Sequence, residues 1–103
     1  MKTIIIQTTC SSEEEAQNIA KILIEEKFAA CVQLSQIKSF YNWDNQFCSD
    51  KETLLNIKTR KKHFKKIKSK IKELHSYDVP EIIQLDISKS SKKYLKFIKD
   101  NTI

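Results

Sequence analysis

The chain has 103 residues, 40% of them hydrophobic, and a formal net charge of +6. These values suit one folded domain over residues 1–103 and exclude a disordered chain, and no apolar run approaches the ~20 residues that a transmembrane helix needs. The chain has no glycine, which excludes Walker and G-x-G-x-x-G loops, and its N-terminus turns polar too early for a signal peptide, so we expect a cytoplasmic protein.

The first β-strand and the first helix are predicted at the start of the chain. Thr3 to Thr9 is a β-branched, apolar run of the kind found in buried central strands. Ser12 and Glu15 then form an S-x-x-E capping box, which marks the start of a helix. Apolar residues continue at helical spacing, so we expect this helix to run to about Lys27.

A long β-hairpin is predicted next. Ala30 to Ile37 has the pattern of a strand that continues toward Trp43, and Glu52 to Thr59 has the pattern of the strand that returns. Between them, Asp44-Asn45 suits a two-residue turn, because both residue types tolerate the left-handed backbone conformation.

The second half of the chain predicts a helix, a strand and a last helix. Arg60 to about Leu74 has one apolar stripe with lysines opposite it, as in an amphipathic helix. Pro80 can begin a strand but cannot lie inside one, and Glu81 to Ile87 alternates as a fourth strand does. Ser90 or Ser91 can cap the last, short helix.

The predicted order β-α-β-β-α-β-α is that of an α+β, ferredoxin-like βαββαβ domain with an added C-terminal helix. Right-handed crossovers place the two main helices on one face of a four-stranded antiparallel sheet. Leu54 and Ile82 are out of phase with the other apolar residues of the third and fourth strands, which are Leu55, Ile57, Ile83, Leu85 and Ile87. Both faces of the sheet should therefore be apolar, and since one short chain cannot cover both, we expect subunits to associate.

Nine lysine and arginine residues lie between Lys58 and Lys72. Such a cluster can attract nucleic acid or another polyanion. A solvated helix face explains the charge better, since aromatic side chains that could stack on bases do not alternate with the lysines. We therefore do not expect a nucleic-acid partner.

Seven polar and aromatic residues could form a pocket for a small polar ligand, because they combine rings that carry polar groups with an acid and a base. They are Tyr41, Trp43, Glu52, Lys58, Tyr77, Glu81 and Tyr94. The alternative is that the rings pack at a subunit contact and that Glu52 pairs with Lys58 or with a neighbouring subunit's lysine. No standard catalytic motif is present, so we expect a binding protein rather than an enzyme; in an enzyme, Lys58 and Glu52 would be the acid and base.

Five blocks of the sequence together resemble the CutA family of divalent-cation tolerance proteins. In one register from about Ile4 to Ile98 they are Ala29-Ala30-Cys31-Val32, Ser39-Phe40-Tyr41-Asn42-Trp43, Glu52 through Lys58-Thr59, His75-Ser76-Tyr77-Asp78-Val79-Pro80-Glu81-Ile82-Ile83, and Tyr94-Leu95. The resemblance implies a ferredoxin-like domain in a tight homotrimer, with long hairpins crossing between neighbours as in an assembly similar to the PII signalling proteins. It also implies tolerance to copper and other divalent cations, without an agreed catalytic reaction.

The resemblance implies roles for individual residues as well. It places the seven residues of the candidate pocket around clefts between subunits, and it ties Cys31 and His75 to metal. Thiolate and imidazole ligands suit copper, so Cu(II) or another divalent cation is the expected cofactor, and threefold symmetry could bring three copies of each ligand together. The alternative is a PII-like signalling or small-ligand-binding module that uses the intersubunit clefts without specific metal binding.

Overall fold

The computed structural model describes residues 1–103 as one four-stranded antiparallel sheet with three α-helices. The strands are β1 (Thr3–Cys10), β2 (Cys31–Trp43), β3 (Gln46–Arg60) and β4 (Ile83–Asp86). The helices are α1 (Glu13–Glu25), α2 (Phe64–Leu74), which follows a 3-10 turn at Lys61–His63, and α3 (Lys92–Asp100). The sheet order β2-β3-β1-β4 confirms the predicted ferredoxin-like arrangement. None of the helices is long and apolar enough to cross a membrane.

Local sequence signals explain where α1 begins and ends. The Ser12 hydroxyl accepts a hydrogen bond of 3.1 Å from the N–H of Glu15, as the capping box predicts. At the other end, Lys27 has a φ of 59°, and the N–H of Phe28 bonds to the carbonyl of Leu23 while the N–H of Lys27 bonds to the next carbonyl along. This pair of bonds is a Schellman motif, with Lys27 in the position that glycine usually occupies.

The β2–β3 hairpin is longer than the sequence indicated on its returning side. β3 begins directly after the Asp44-Asn45 turn, whereas the pattern predicted a start at Glu52. Both turn residues have positive φ, 52° and 61°, as a type I′ turn requires. β2 pairs with β3 along its whole length, but β1 pairs with β3 only from Thr53 onward. Residues 37–52, the distal hairpin, therefore project beyond the rest of the sheet and lengthen the molecule to 45 Å.

The core lies between one face of the sheet and helices α1 and α2. Alternate residues of the two central strands are fully buried on this face, namely Ile4, Ile6, Leu55 and Ile57. The two helices contribute the fully buried Ile19, Leu23, Ile67 and Ile71. This packing holds the start of α1 and the end of α2 beside the last residues of β1.

The second face of the sheet also carries apolar side chains, as predicted, but β4 contributes a different set from the one expected. The register of β4 on β1 puts Ile83 and Leu85, which are both 45% exposed, on the same face as Leu54. Ile82 packs against the core instead. The prediction that Ile83 and Leu85 share a face with Leu55 was wrong. The pairing register decides which alternate set of a strand points inward, and the sequence of the strand does not show it.

Helix α3 and the residues after it lie against the end of β3. The Arg60 Nε donates to the hydroxyl of Thr102 at 2.8 Å, and the Lys58 Nζ lies 5.3 Å from the centre of the Tyr94 ring. Of the two predicted caps, Ser90 and Ser91, it is Ser91 that caps the helix, by accepting a hydrogen bond from the N–H of Tyr94. These contacts place Tyr94 far from the distal hairpin.

Candidate functional site

A cleft of about 710 Å³ lies between the distal hairpin and the α2–β4 loop, which comprises residues 75–82. It is lined by Thr9, Ser39, Phe40, Tyr41, Trp43, Glu52, Ser76, Tyr77, Asp78, Val79 and Glu81. Five of the seven residues predicted for a ligand pocket are among them: Tyr41, Trp43, Glu52, Tyr77 and Glu81. The hairpin and the loop are far apart in sequence, so the fold itself brings these residues together.

Lys58 and Tyr94, the other two predicted pocket residues, lie at the opposite end of β3. Lys58 is six residues beyond Glu52 on the same strand, which corresponds to about 20 Å at ~3.3 Å per residue. Its ammonium group contacts the Tyr94 ring instead. Glu52 and Lys58 therefore do not form an ion pair within one chain.

Glu52 and Tyr77 form the buried centre of the cleft. Glu52 is only 8% exposed, and its Oε2 accepts a hydrogen bond of 2.9 Å from the Tyr77 hydroxyl. Burial, the hydrogen bond and the charge of Glu52 together raise the pKa of Tyr77, so the phenol keeps its proton and acts as a donor. Tyr77 thus occupies one carboxylate oxygen of Glu52 and leaves Oε1 as a possible ligand atom.

The cleft is acidic although the chain is basic. Its eleven lining residues include Glu52, Asp78 and Glu81 but no lysine, arginine or histidine, whereas the chain carries a net charge of +6. Burial, together with the negative charge of Glu52, raises the pKa of Glu81. Next to these acids, Tyr41 donates to Asp50, and this bond, with some burial, raises the pKa of Tyr41 to about 12. The cleft therefore offers carboxylate and hydroxyl oxygens in a negative field, which suits a cation.

His75, one of the two predicted metal ligands, does not line the cleft. Its side chain is fully buried, and its ring lies 4.8 Å from the ring of Tyr77, centre to centre. Nε2 is 2.7 Å from the carbonyl oxygen of Thr9, and Nδ1 is 3.1 Å from the N of Tyr77. His75 therefore supports the cleft from behind one of its walls.

Three potential metal ligands do meet around His75, because the donor atoms of Cys10, Glu15 and His75 lie within 4.8 Å of one another. They do not fit a metal ion in this arrangement. Both ring nitrogens of His75 are hydrogen-bonded, and the two Glu15 oxygens accept from the N–H and the hydroxyl of Ser76, each at 2.8 Å. Burial, followed by the charges of Glu15 and Glu52, raises the pKa of Cys10 to about 12, so the side chain is a thiol in metal-free protein.

Cys10 was not among the predicted site residues, and no pattern in the chain predicts its contact with His75. It lies 65 residues from His75, and its Sγ is 3.8 Å from the His75 Nε2 only because α2 packs beside the end of β1. Metal motifs are recognised by short, regular spacings, and this pair has none.

Cys31, the other predicted metal ligand, lies on β2 opposite Lys58. His75 instead contacts Thr9, which pairs with Leu54 on β3. Leu54 and Lys58 are four residues apart on the same strand, which separates the two sites by at least about 13 Å. Cys31 and His75 therefore cannot bind one ion within a single chain, and a site that combines them across subunits stays a prediction.

The profile of the family described as "CutA1 divalent ion tolerance protein" matches residues 4–101. The divalent-cation tolerance protein CutA of Thermus thermophilus is 41% identical over 99 residues, which cover 95% of this chain and 96% of that protein. The protein of the same name from Pyrococcus horikoshii is 38% identical, over 96% of this chain and 97% of its own.

Solved structures of CutA and CutA1 proteins superpose closely on this fold. The structure of the periplasmic divalent cation tolerance protein CutA from Archaeoglobus fulgidus has a TM-score of 0.94 at 36% identity, covering 96% of this chain and 97% of its own. The CutA1 structure from Oryza sativa has a TM-score of 0.96 at 36% identity and covers all of this chain and 95% of its own. Both sequence and fold therefore match over essentially the whole chain.

Proposed function

The chain belongs to the CutA1 divalent ion tolerance protein family, and from this premise we propose that it binds divalent cations in its acidic cleft. It is a divalent-cation tolerance protein of the CutA type. The observation that carries the proposal is the charge of the cleft lining, which has three carboxylates and no basic group in a chain of net charge +6. A cleft lined by one sign of charge concentrates ions of the opposite sign.

We expect Glu52 and Glu81 to be the principal ligands. Tyr77 occupies only one oxygen of the buried Glu52 carboxylate, and a bound cation would relieve the repulsion between Glu52 and Glu81. Cu(II) is the first candidate, because it stands at the top of the affinity order of divalent first-row metals for oxygen and nitrogen ligands. Mn(II) and other oxygen-preferring cations should bind more weakly at the same place.

Isothermal titration of chelator-treated protein with Cu(II) and Mn(II) tests this proposal. We expect Glu52→Gln and Glu81→Gln each to weaken binding at least tenfold, because each removes a negative ligand while keeping the shape of the side chain. Glu73→Gln is the matched control, since Glu73 is exposed on α2 and contacts only Lys70. The Glu73→Gln variant should bind Cu(II) and Mn(II) with the affinity of the wild type.

Cys31→Ser and His75→Ala separate the cleft from the ligands that the family resemblance implies. Tight binding that survives both carboxylate variants and is lost in Cys31→Ser would contradict the cleft and favour a thiolate site shared between subunits. Binding that is lost in the carboxylate variants and kept in Cys31→Ser is the result that we expect.

We further propose that the protein works as a homotrimer. In the single chain, the second face of the sheet exposes Ile83 and Leu85, and the distal hairpin exposes Phe40, Trp43 and Phe47 by 57–73%. Apolar surface of this kind usually marks a subunit contact.

We propose a binding role for the cleft and no catalytic reaction. The alternative of a PII-like module for small ligands is not favoured, because the names of the relatives, where they state a role, refer to divalent cations. All three cysteines are free, which suits a reducing compartment, and we therefore propose a cytoplasmic location.

A further inference from the structure

The α2–β4 loop forms one wall of the cleft, and its first residues are held by side chains rather than by regular secondary structure. Backbone N–H groups outside helices and strands need other partners when water cannot reach them. The N–H of Ser76 donates to Glu15 Oε1 at 2.8 Å, and the N–H of Tyr77 donates to His75 Nδ1 at 3.1 Å. The loop is therefore fixed from inside the protein.

The hydrogen bonds of His75 assign its tautomer. A carbonyl oxygen only accepts, so Nε2, at 2.7 Å from the Thr9 oxygen, carries a proton. A backbone N–H only donates, so Nδ1, which accepts from Tyr77, carries none. Glu15 Oε1 lies 3.5 Å from Nδ1, farther than the Tyr77 nitrogen. The imidazole is neutral in this geometry, and its one lone pair is already engaged.

We propose that His75 is a positioning residue of the cleft and not a metal ligand. It connects the two central strands of the sheet. On one side the imidazole bonds to the Thr9 carbonyl of β1, and on the other it contacts the backbone and the ring of Tyr77. The Tyr77 hydroxyl in turn bonds to Glu52 on β3. The Tyr77 hydroxyl lies on Glu52 because its backbone and ring are held by the buried imidazole. The effect on cation affinity rests on the proposed function, whereas the hydrogen bonds of His75 do not depend on it.

NMR of protein labelled with ¹⁵N-histidine tests the assignment directly. The chain has only two histidines, and His63→Gln identifies the signals of His75. We expect His75 to be protonated at Nε2 and unprotonated at Nδ1 in metal-free protein, and to keep both signals when Zn(II), a diamagnetic probe, is added to saturation. A His75 nitrogen that takes on the signature of a coordinated imidazole with Zn(II), or a proton on Nδ1 at neutral pH, would overturn the proposal.

A double-mutant cycle on Cu(II) affinity tests the positioning role. Residues that support a metal ligand from behind typically change metal affinity by roughly tenfold when replaced. We therefore expect about a tenfold loss for His75→Asn, a similar loss for Tyr77→Phe, and no further loss when the two are combined, because His75 acts through Tyr77. Losses that multiply in the double variant would show that His75 contributes independently and would contradict the proposal.

Two further variants keep the test informative. Glu15→Gln loosens the same loop at Ser76 and keeps both hydrogen-bond partners of the imidazole, although Glu15 Oε1 itself lies 3.5 Å from Nδ1. It should therefore also weaken Cu(II) binding, and it replaces His75→Asn if that variant does not fold. His63→Gln should bind Cu(II) like the wild type, because His63 contacts Ile103 and not the cleft. If Glu52→Gln binds cations normally, the proposed function fails, and the NMR of metal-free protein still decides the role of His75.

Discussion

Two buried threonines show that the effect of a hydroxyl group on stability depends on whether the group has a hydrogen-bond partner. Thr8 and Thr59 both lie fully buried on the core face of the central strands. The Thr59 hydroxyl donates to the carbonyl of Phe28 at 2.5 Å, whereas the Thr8 hydroxyl has no hydrogen-bond partner. A buried polar group without a partner costs about 1–3 kcal/mol, while one that is hydrogen-bonded stabilises the fold.

We therefore expect Thr8→Val and Thr59→Val to change stability in opposite directions. Thr8→Val should raise the free energy of unfolding by about 1 kcal/mol, because it removes an unsatisfied hydroxyl and keeps the shape of the side chain. Thr59→Val should lower it by about 1–2 kcal/mol, because it leaves the Phe28 carbonyl without its donor. Urea unfolding of both variants at one protein concentration is the measurement, and a destabilised Thr8→Val would contradict the expected order.

At the scale of elements, the ends of helices decide which surfaces face the cleft. α1 begins at the Ser12 cap, and this start places Glu15 within reach of the α2–β4 loop. α2 ends at Leu74, and the chain then turns so that His75 points back to β1. The walls of the cleft thus depend on where two helices stop and start.

The end of α1 carries a backbone cost that can be measured. Lys27 has a φ of 59° in the C-terminal Schellman motif, where a side chain is unfavourable and glycine is not. Lys27→Gly should therefore stabilise the protein by about 0.5–1 kcal/mol. Glu26→Gly is the control, because Glu26 has a φ of −82° and glycine there only adds freedom to the unfolded chain. Thermal unfolding should show the first variant above the wild type and the second below it.

At the scale of the whole molecule, the chain leaves one face of its sheet and its distal hairpin uncovered. α1 and α2 cover only the core face, while Ile83 and Leu85 remain 45% exposed on the other. The sheet order also leaves β2 and β4 as open edges. The proposed association of subunits would cover both the apolar face and the open edges.

A charge placed on the second face should separate the subunits. We expect wild-type protein to sediment as a trimer and Leu85→Lys to need at least a tenfold higher concentration to assemble, because a lysine would replace an apolar contact in each subunit. Ile24→Lys is the matched control, since Ile24 is similarly exposed, at 41%, but lies on α1. Sedimentation velocity across a dilution series measures both, and a wild type that sediments as a folded monomer, or a trimer indifferent to Leu85→Lys, would contradict the assembly.

The sequence alone was enough to predict the order of the elements, the cap at Ser12, a cap at Ser90 or Ser91, the Asp44-Asn45 turn and the family. These features depend on neighbours a few residues apart, such as a hydroxyl and the N–H three residues later, and such contacts can be read along the chain. All seven pocket residues were predicted to lie together, from their side chains and from the family resemblance, and five of them line one cleft.

Only the tertiary structure decided how distant segments meet. The register of β4 put Ile83 and Leu85 on the open face, and the packing of α2 beside β1 brought His75 to Cys10 and away from Cys31. Strand register and contacts across 65 residues arise from the joint packing of the whole core, and no local pattern records them. For the same reason, the neutral, fully hydrogen-bonded state of His75 could be recognised only in the folded chain.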